Sequence, residues 1–170
     1  MPPNALGFKR DDSSTEVWCD LLSVDSASDF SGRVHIAQSA GQDYVTITYN
    51  ISSNLGASSH GFHIHQNGDT SNKCAAAGGH FNPTNVNHGA PWDAVHHVGD
   101  LPMLNLTESG EATGVIYSTD ITLLGPNSVA GRSIVIHAGK DDYGRGCNAA
   151  SLANGNSGAR EACCVLQTSP

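Results

Sequence analysis

Positive charge is scarce in this sequence. Its 170 residues hold eight lysines and arginines against sixteen aspartates and glutamates, a formal net charge of −8 with neutral histidine. Binding to nucleic acid or to an anionic membrane surface needs a basic face, so the balance argues against both. No run approaches the roughly 20 apolar residues of a membrane helix, so membrane insertion is not expected. There is no Cys-x-x-Cys, which excludes a zinc ribbon and a thioredoxin-like redox motif. The segment from Met1 to Ala5 has no apolar core and does not read as a signal peptide. Long helical periodicity, internal repeats and low-complexity blocks are also missing.

What the chain does have is histidine, nine of them where only 14 % of residues are charged, and metal chemistry becomes the leading question. The length suits one domain able to bury about 70 % of the unfolded chain's surface. Residues 1–15 read as a polar flexible arm and residues 16–170 as the folded domain. Short β-type runs cover 16–24, 33–38, 43–51, 60–66, 98–106, 112–117, 132–137 and 162–166, several alternating with period two as in Val45, Ile47 and Tyr49 against Thr46 and Thr48. Eight such strands predict an all-β antiparallel sandwich or closed barrel. Two long segments, 67–97 and 138–160, interrupt the rhythm, and long ordered loops in a small domain are usually functional. Five cysteines leave at least one without an internal partner, and the adjacent Cys163 and Cys164 point to opposite faces of a strand, so each reaches for a distant cysteine. Two glycosylation sequons begin at Asn50 and Asn105. With the cysteines they point to an extracellular or secretory location, the cytoplasm being the alternative.

His63 and His65, two apart on a predicted strand, leave it on the same face. That pair alone also fits an ordinary surface. His80, His88, His97 and Asp100 follow, and His137 ends the apolar run Ile134-Val135-Ile136. Three imidazoles and a carboxylate suit tetrahedral zinc, whereas four imidazoles suit copper. Six histidines serve two four-coordinate metals only if one ring bridges both.

The run from His60 to His65, the stretch from Cys74 to His80-Phe81-Asn82-Pro83, His88-Gly89, His97-Val98-Gly99-Asp100-Leu101, Gly131-Arg132-Ser133-Ile134-Val135-Ile136-His137 and Gly155-Asn156-Ser157-Gly158-Ala159-Arg160 together resemble the copper/zinc superoxide dismutases, over about residues 16–166. The resemblance implies an eight-stranded antiparallel Greek-key β-barrel, an immunoglobulin-like sandwich, with two long functional loops. It implies an enzyme converting superoxide to dioxygen and hydrogen peroxide by Cu(II)/Cu(I) cycling, with a zinc-supported bridging histidine. Copper falls to His63, His65, His80 and His137, and zinc to His80, His88, His97 and Asp100. His80 is then the bridging ligand and a proton donor. Asp141 matches the aspartate that orients one histidine of each metal, and Arg160 the arginine that attracts and orients the superoxide anion.

Cys74 and Cys163 match the family's disulfide. The vicinal cysteines resemble extracellular members, which makes Cys19–Cys164 the expected second bridge and Cys147 the alternative partner. A homodimer is implied too, although Asn67 stands where many members place an aromatic residue in that interface. In the second loop Asn148-Ala149-Ala150-Ser151-Leu152-Ala153-Asn154 lacks the charges that members often carry, so a weaker electrostatic funnel is expected. His60 is expected to be structural, and His96 and His35 to face outward. The competing function is a copper-binding or copper-delivery module on the same barrel.

Overall fold

The structure, a computed structural model, describes residues 14–168. The arm expected over residues 1–15 therefore lies outside the description up to residue 13, and its last two residues are already strand. β1 (Ser14–Asp20) turns Val17 and Cys19 inward and leaves Trp18 between them half exposed. It pairs antiparallel with β3 (Ser31–Ser39), β3 with β4 (Val45–Ser52), and β4 with β8 (Glu111–Ser118), completing one four-stranded sheet. The second sheet runs β2 (Leu22–Ser23), β10 (Arg160–Val165), β9 (Ser133–His137), β6 (Phe62–His65). β5 (Ser58–His60) and β7 (Leu104–Leu106) form a separate two-stranded ribbon.

The alternation that the sequence shows is what packs the sheets. Val17, Val34, Ile36, Val45, Ile47 and Ile51 of the first sheet join Phe62, Ile64, Ile134, Ile136 and Cys164 of the second in one core cluster. A fully buried side chain of this size contributes about 1.5–3 kcal/mol. β6 and β9 are buried on both faces. Their inward residues meet the core, while His63, His65, Val135 and His137 project from the opposite face beneath the long loops. Two disulfides hold this arrangement. Cys74–Cys163 staples the first loop to β10, and Cys19–Cys164 ties β10 to β1. Each vicinal cysteine uses its own face of the strand, and Cys147 is free and exposed.

Several expected strands differ in the structure. The run 16–24 breaks at Leu21, where the chain passes from the first sheet to the second. The run 60–66 breaks at Gly61, whose amide bonds to the Gly139 carbonyl instead of a strand neighbour. Of 98–106 only Leu104–Leu106 is strand, because the Asp100 amide turns back to the His97 carbonyl. Arg132 precedes β9 rather than opening it. A helix unannounced by periodicity, α1 (Ala149–Asn154), spans six residues of the second loop. The Asn148 side chain caps its start by accepting from the Ser151 amide, and Gly155 ends it with φ 67°.

Candidate metal centre

β6 delivers His63 and His65 to the loop-covered face, and β9 delivers His137 beside them. The first long loop returns to the same strand: His80 bridges to His65, Asp100 bridges to His63, and the Ile64 amide and carbonyl bond Gly99 and Phe81. His63, His65, His80, His88, His97, Asp100 and His137 are all buried. They form two donor groups, His63–His65–His80–His137 and His80–His88–His97–Asp100, each with one ligand atom per residue within 4.8 Å of the others. His80 belongs to both.

The hydrogen bonds decide which nitrogen of each ring is left over. His63 donates from Nε2 to Asp141 Oδ2 at 2.7 Å, freeing Nδ1. His65 donates from Nδ1 to the Gly78 carbonyl at 2.9 Å, and His137 from Nδ1 to the Gly158 carbonyl at 3.2 Å, freeing both Nε2 atoms. In the other group His88 donates from Nε2 to Asp141 Oδ1 at 2.8 Å and His97 from Nε2 to the Val86 carbonyl at 3.0 Å, freeing both Nδ1 atoms. His80 turns Nδ1 toward Asp100 and His97 and leaves Nε2 unpartnered toward the first group. Fixing a ring through its second nitrogen is how proteins prepare imidazole for a metal.

The residues fit a pair of cations. The Nε2 atoms of His65 and His137 face each other at 3.2 Å, although each ring has already spent its proton on a carbonyl. Two lone pairs so placed repel unless a positive ion lies between them. The Nδ1 of His63, Nε2 of His80 and Nδ1 of His88 are buried without a hydrogen-bond partner. Such orphans cost about 1–3 kcal/mol each. His88 Nδ1 is 2.9 Å from Asp100 Oδ2, but off the direction in which an N–H would point, so that contact is one of charge.

Electrostatics separates the two groups. Burial pushes His63 and His65 well below the ordinary imidazole range, lowers His80, and brings His137 to about 4. The four-histidine group is thus neutral, with lone pairs available. Burial also opposes charge on His88, yet the Asp100 and Asp141 carboxylates outweigh it and raise that ring to about 9. Both carboxylates resist their own burial and stay well below the usual range, Asp100 through His80, His88 and His97, Asp141 through His63 and His88.

Arg160, opposite His137 in the β9–β10 register, donates to the carbonyls of Cys74, Ala75 and Gly78. The Gly78 carbonyl therefore serves both Arg160 and His65, joining the arginine to the four-histidine group through one atom. Asp141 is held in turn by the Tyr143 amide at 2.7 Å. Gly155 must be glycine, because a Cβ there would strike the Asp141 carboxylate and the His88 ring. His60 lies outside both groups and donates from Nδ1 to the His137 carbonyl at 2.8 Å. His35 stacks on Trp18, and His96, half-buried rather than facing outward, bonds the Asp93 carbonyl. Sequence reasoning missed the carbonyls of Gly78, Val86 and Gly158, which orient three of the ligands and carry no side-chain signal.

Residues 30–166 match the family described as copper/zinc superoxide dismutase. The Cu-Zn superoxide dismutase of Candida glabrata is 50% identical over 136 residues, covering 80% of this chain and 88% of the relative. That of Botryotinia fuckeliana is 46% identical over 146 residues, covering 86% and 95%, and that of Saccharomyces cerevisiae 47% identical over 136 residues, covering 80% and 88%. With the match extending over most of the chain and the two donor groups sharing one histidine, the chain belongs to the copper/zinc superoxide dismutase family.

Proposed function

We propose that the chain dismutes superoxide at a bimetallic site in which His63, His65, His80 and His137 hold copper and His80, His88, His97 and Asp100 hold zinc, within a single catalytic domain over residues 16–170. The observation that carries this assignment is His80, whose two nitrogens point into different donor groups. Bound copper supplies one-electron chemistry between Cu(II) and Cu(I), so that one superoxide leaves as dioxygen and a second, with two protons, becomes hydrogen peroxide.

The chain's residues do the rest. Nε2 of His80 is the nitrogen that takes up and returns a proton, because Nδ1 is committed to the zinc group. Asp141 bonds one histidine from each group and keeps both rings in register. Burial keeps His63, His65 and His137 neutral, so their free lone pairs need no proton removed first, whereas His80 must give up its one ring proton to turn a lone pair toward each group. The Arg160 guanidinium, anchored on three carbonyls at the edge of the site, attracts the anion and orients it toward the four-histidine group. The exposed asparagines of both sequons and the two disulfides support a secreted protein. Leu22, 69% exposed on the edge strand β2, is an apolar residue available for pairing with a second copy.

The deciding measurement is superoxide decay catalysed by the copper- and zinc-loaded protein, with the metal-free protein as blank. Fast, metal-dependent decay is expected. Slow decay at full copper occupancy would refute the dismutase reading and leave copper handling in its place.

A further inference from the structure

Arg132, just before β9, contacts two residues that each directly follow a histidine of the four-histidine group. Its guanidinium carbon lies 3.7 Å from the centroid of the Phe81 ring. Nη1 donates to the Gln66 carbonyl at 2.7 Å and Nε to the Ser128 carbonyl at 3.0 Å. Gln66 directly follows His65, and Phe81 directly follows His80. Phe81 is buried, and its amide and carbonyl bond Ile64 and Gly99, at 2.8 and 2.9 Å, so its backbone lies in the ladder that carries His63 and His65. The neighbouring Ser133 repeats the grip by donating to the Asn67 carbonyl at 2.7 Å.

We propose that Arg132 is a positioning residue for the metal centre, setting the spacing between the His65 and His80 rings by clamping the residue that follows each of them. This rests on the assignment of both rings to copper. A guanidinium can stand over an aromatic ring while its N–H groups donate to two carbonyls in a fixed fork. A lysine keeps the charge but cannot do all three. The proposal concerns geometry, so charge alone does not rescue it.

The test compares the copper- and zinc-loaded protein with Arg132→Lys and Arg132→Ala. The readouts are the visible and paramagnetic resonance spectra of Cu(II), copper affinity by competition with a chelator, and the melting temperature. Ile47→Val, in the opposite sheet, is the control for lost stability alone. Both arginine variants are expected to shift the Cu(II) spectra and weaken copper binding about tenfold, the lower end of what outer partners of ligands contribute. The control should lower the melting temperature with the spectra unchanged. Should Arg132→Ala fail to fold, Arg132→Lys decides. Variants with a lowered melting temperature but wild-type spectra and affinity would overturn the proposal while leaving the copper assignment intact. A wild-type protein without a copper–histidine spectrum would overturn both.

Discussion

Zinc should enter this site by displacing a proton. In the metal-free protein His88 sits between two carboxylates, with Nε2 2.8 Å from Asp141 and Nδ1 2.9 Å from Asp100. Those two negative charges outweigh burial and raise the ring to about 9. At pH 7 His88 therefore carries a proton, and a ring must lose it to bind a metal. Zinc thus replaces one positive charge with two between the same carboxylates. Asp100, ionised far below neutrality, and His80, lowered by burial, release nothing at this pH. His88 should contribute about one proton to the release on zinc binding at pH 7 and about half a proton at pH 9. Titration calorimetry in buffers of different ionisation enthalpy counts it directly. The same raised value makes imidazolium a stabiliser of the metal-free fold. Because the folded value exceeds the ordinary 6.5, the contribution is complete below about pH 6.5 and is lost as pH rises through about 9. Its ceiling is about 3 kcal/mol, reduced by the solvent that reaches the ring. A proton count near zero at pH 7, or one that does not fall between pH 7 and 9.5, would refute the reasoning.

Other perturbations separate the parts of the molecule. Ile64→Ala removes a fully buried side chain between His63 and His65, and denaturant unfolding should show a loss of about 2–5 kcal/mol together with weaker copper retention. Replacing Cys19 and Cys164 together by serine opens a link spanning 145 residues. The chain-entropy model puts that cost at about 5 kcal/mol, and metal content measured on the folded variant should stay at two ions per chain. Replacing Cys74 and Cys163, which span 89 residues, should cost about 4–5 kcal/mol and also lower activity, because Gly78, the anchor of His65 and Arg160, belongs to the released loop. Arg160→Ala should lower kcat/KM about tenfold or more at low salt. The wild-type rate should depend only shallowly on salt, since α1 carries no charged side chain. A steep salt loss that persists in Arg160→Ala would contradict that account.

The two donor groups were legible in the sequence because imidazole and carboxylate are rare enough to count. The i, i+2 spacing of His63 and His65 fixes a shared strand face, and the number of donors against the number of metals demands a bridging ring. The inward residues of β3 and β4 were legible from period-two alternation for the same geometric reason. What stayed hidden depends on backbone groups. The carbonyls of Gly78, Val86 and Gly158 select the free nitrogen of three histidines, and every residue type offers a carbonyl. The break at Gly61 and the short strand at Leu104–Leu106 arise where loops claim backbone hydrogen bonds from the sheets, a competition that local pattern cannot rank. α1 escaped because six residues cannot display a helical period. Only Asn148 before it and Gly155 after it could have given it away, as a cap and a left-handed stop.

On the proposed assignment, the division of labour between the two metals follows from how the chain charges each half of the site. The four-histidine group has no carboxylate among its own donors, and Asp141, which bonds its His63, is shared with His88 of the other group. The group proposed for zinc contains Asp100 and is flanked by Asp141, and their charges suit a permanent dication. His80 joins the halves through one conjugated ring, so the fixed charge on its Nδ1 side acts directly on the basicity of Nε2. A proton carrier and a charge reference are thereby built from a single side chain. The second sheet makes this economical, since its outward face supplies His63, His65 and His137 on rigid neighbouring strands, and the loops need add only the bridge and the zinc half. The loop residues that look least chemical, Gly78 for its carbonyl and Gly155 for its missing side chain, are the ones on which that geometry depends.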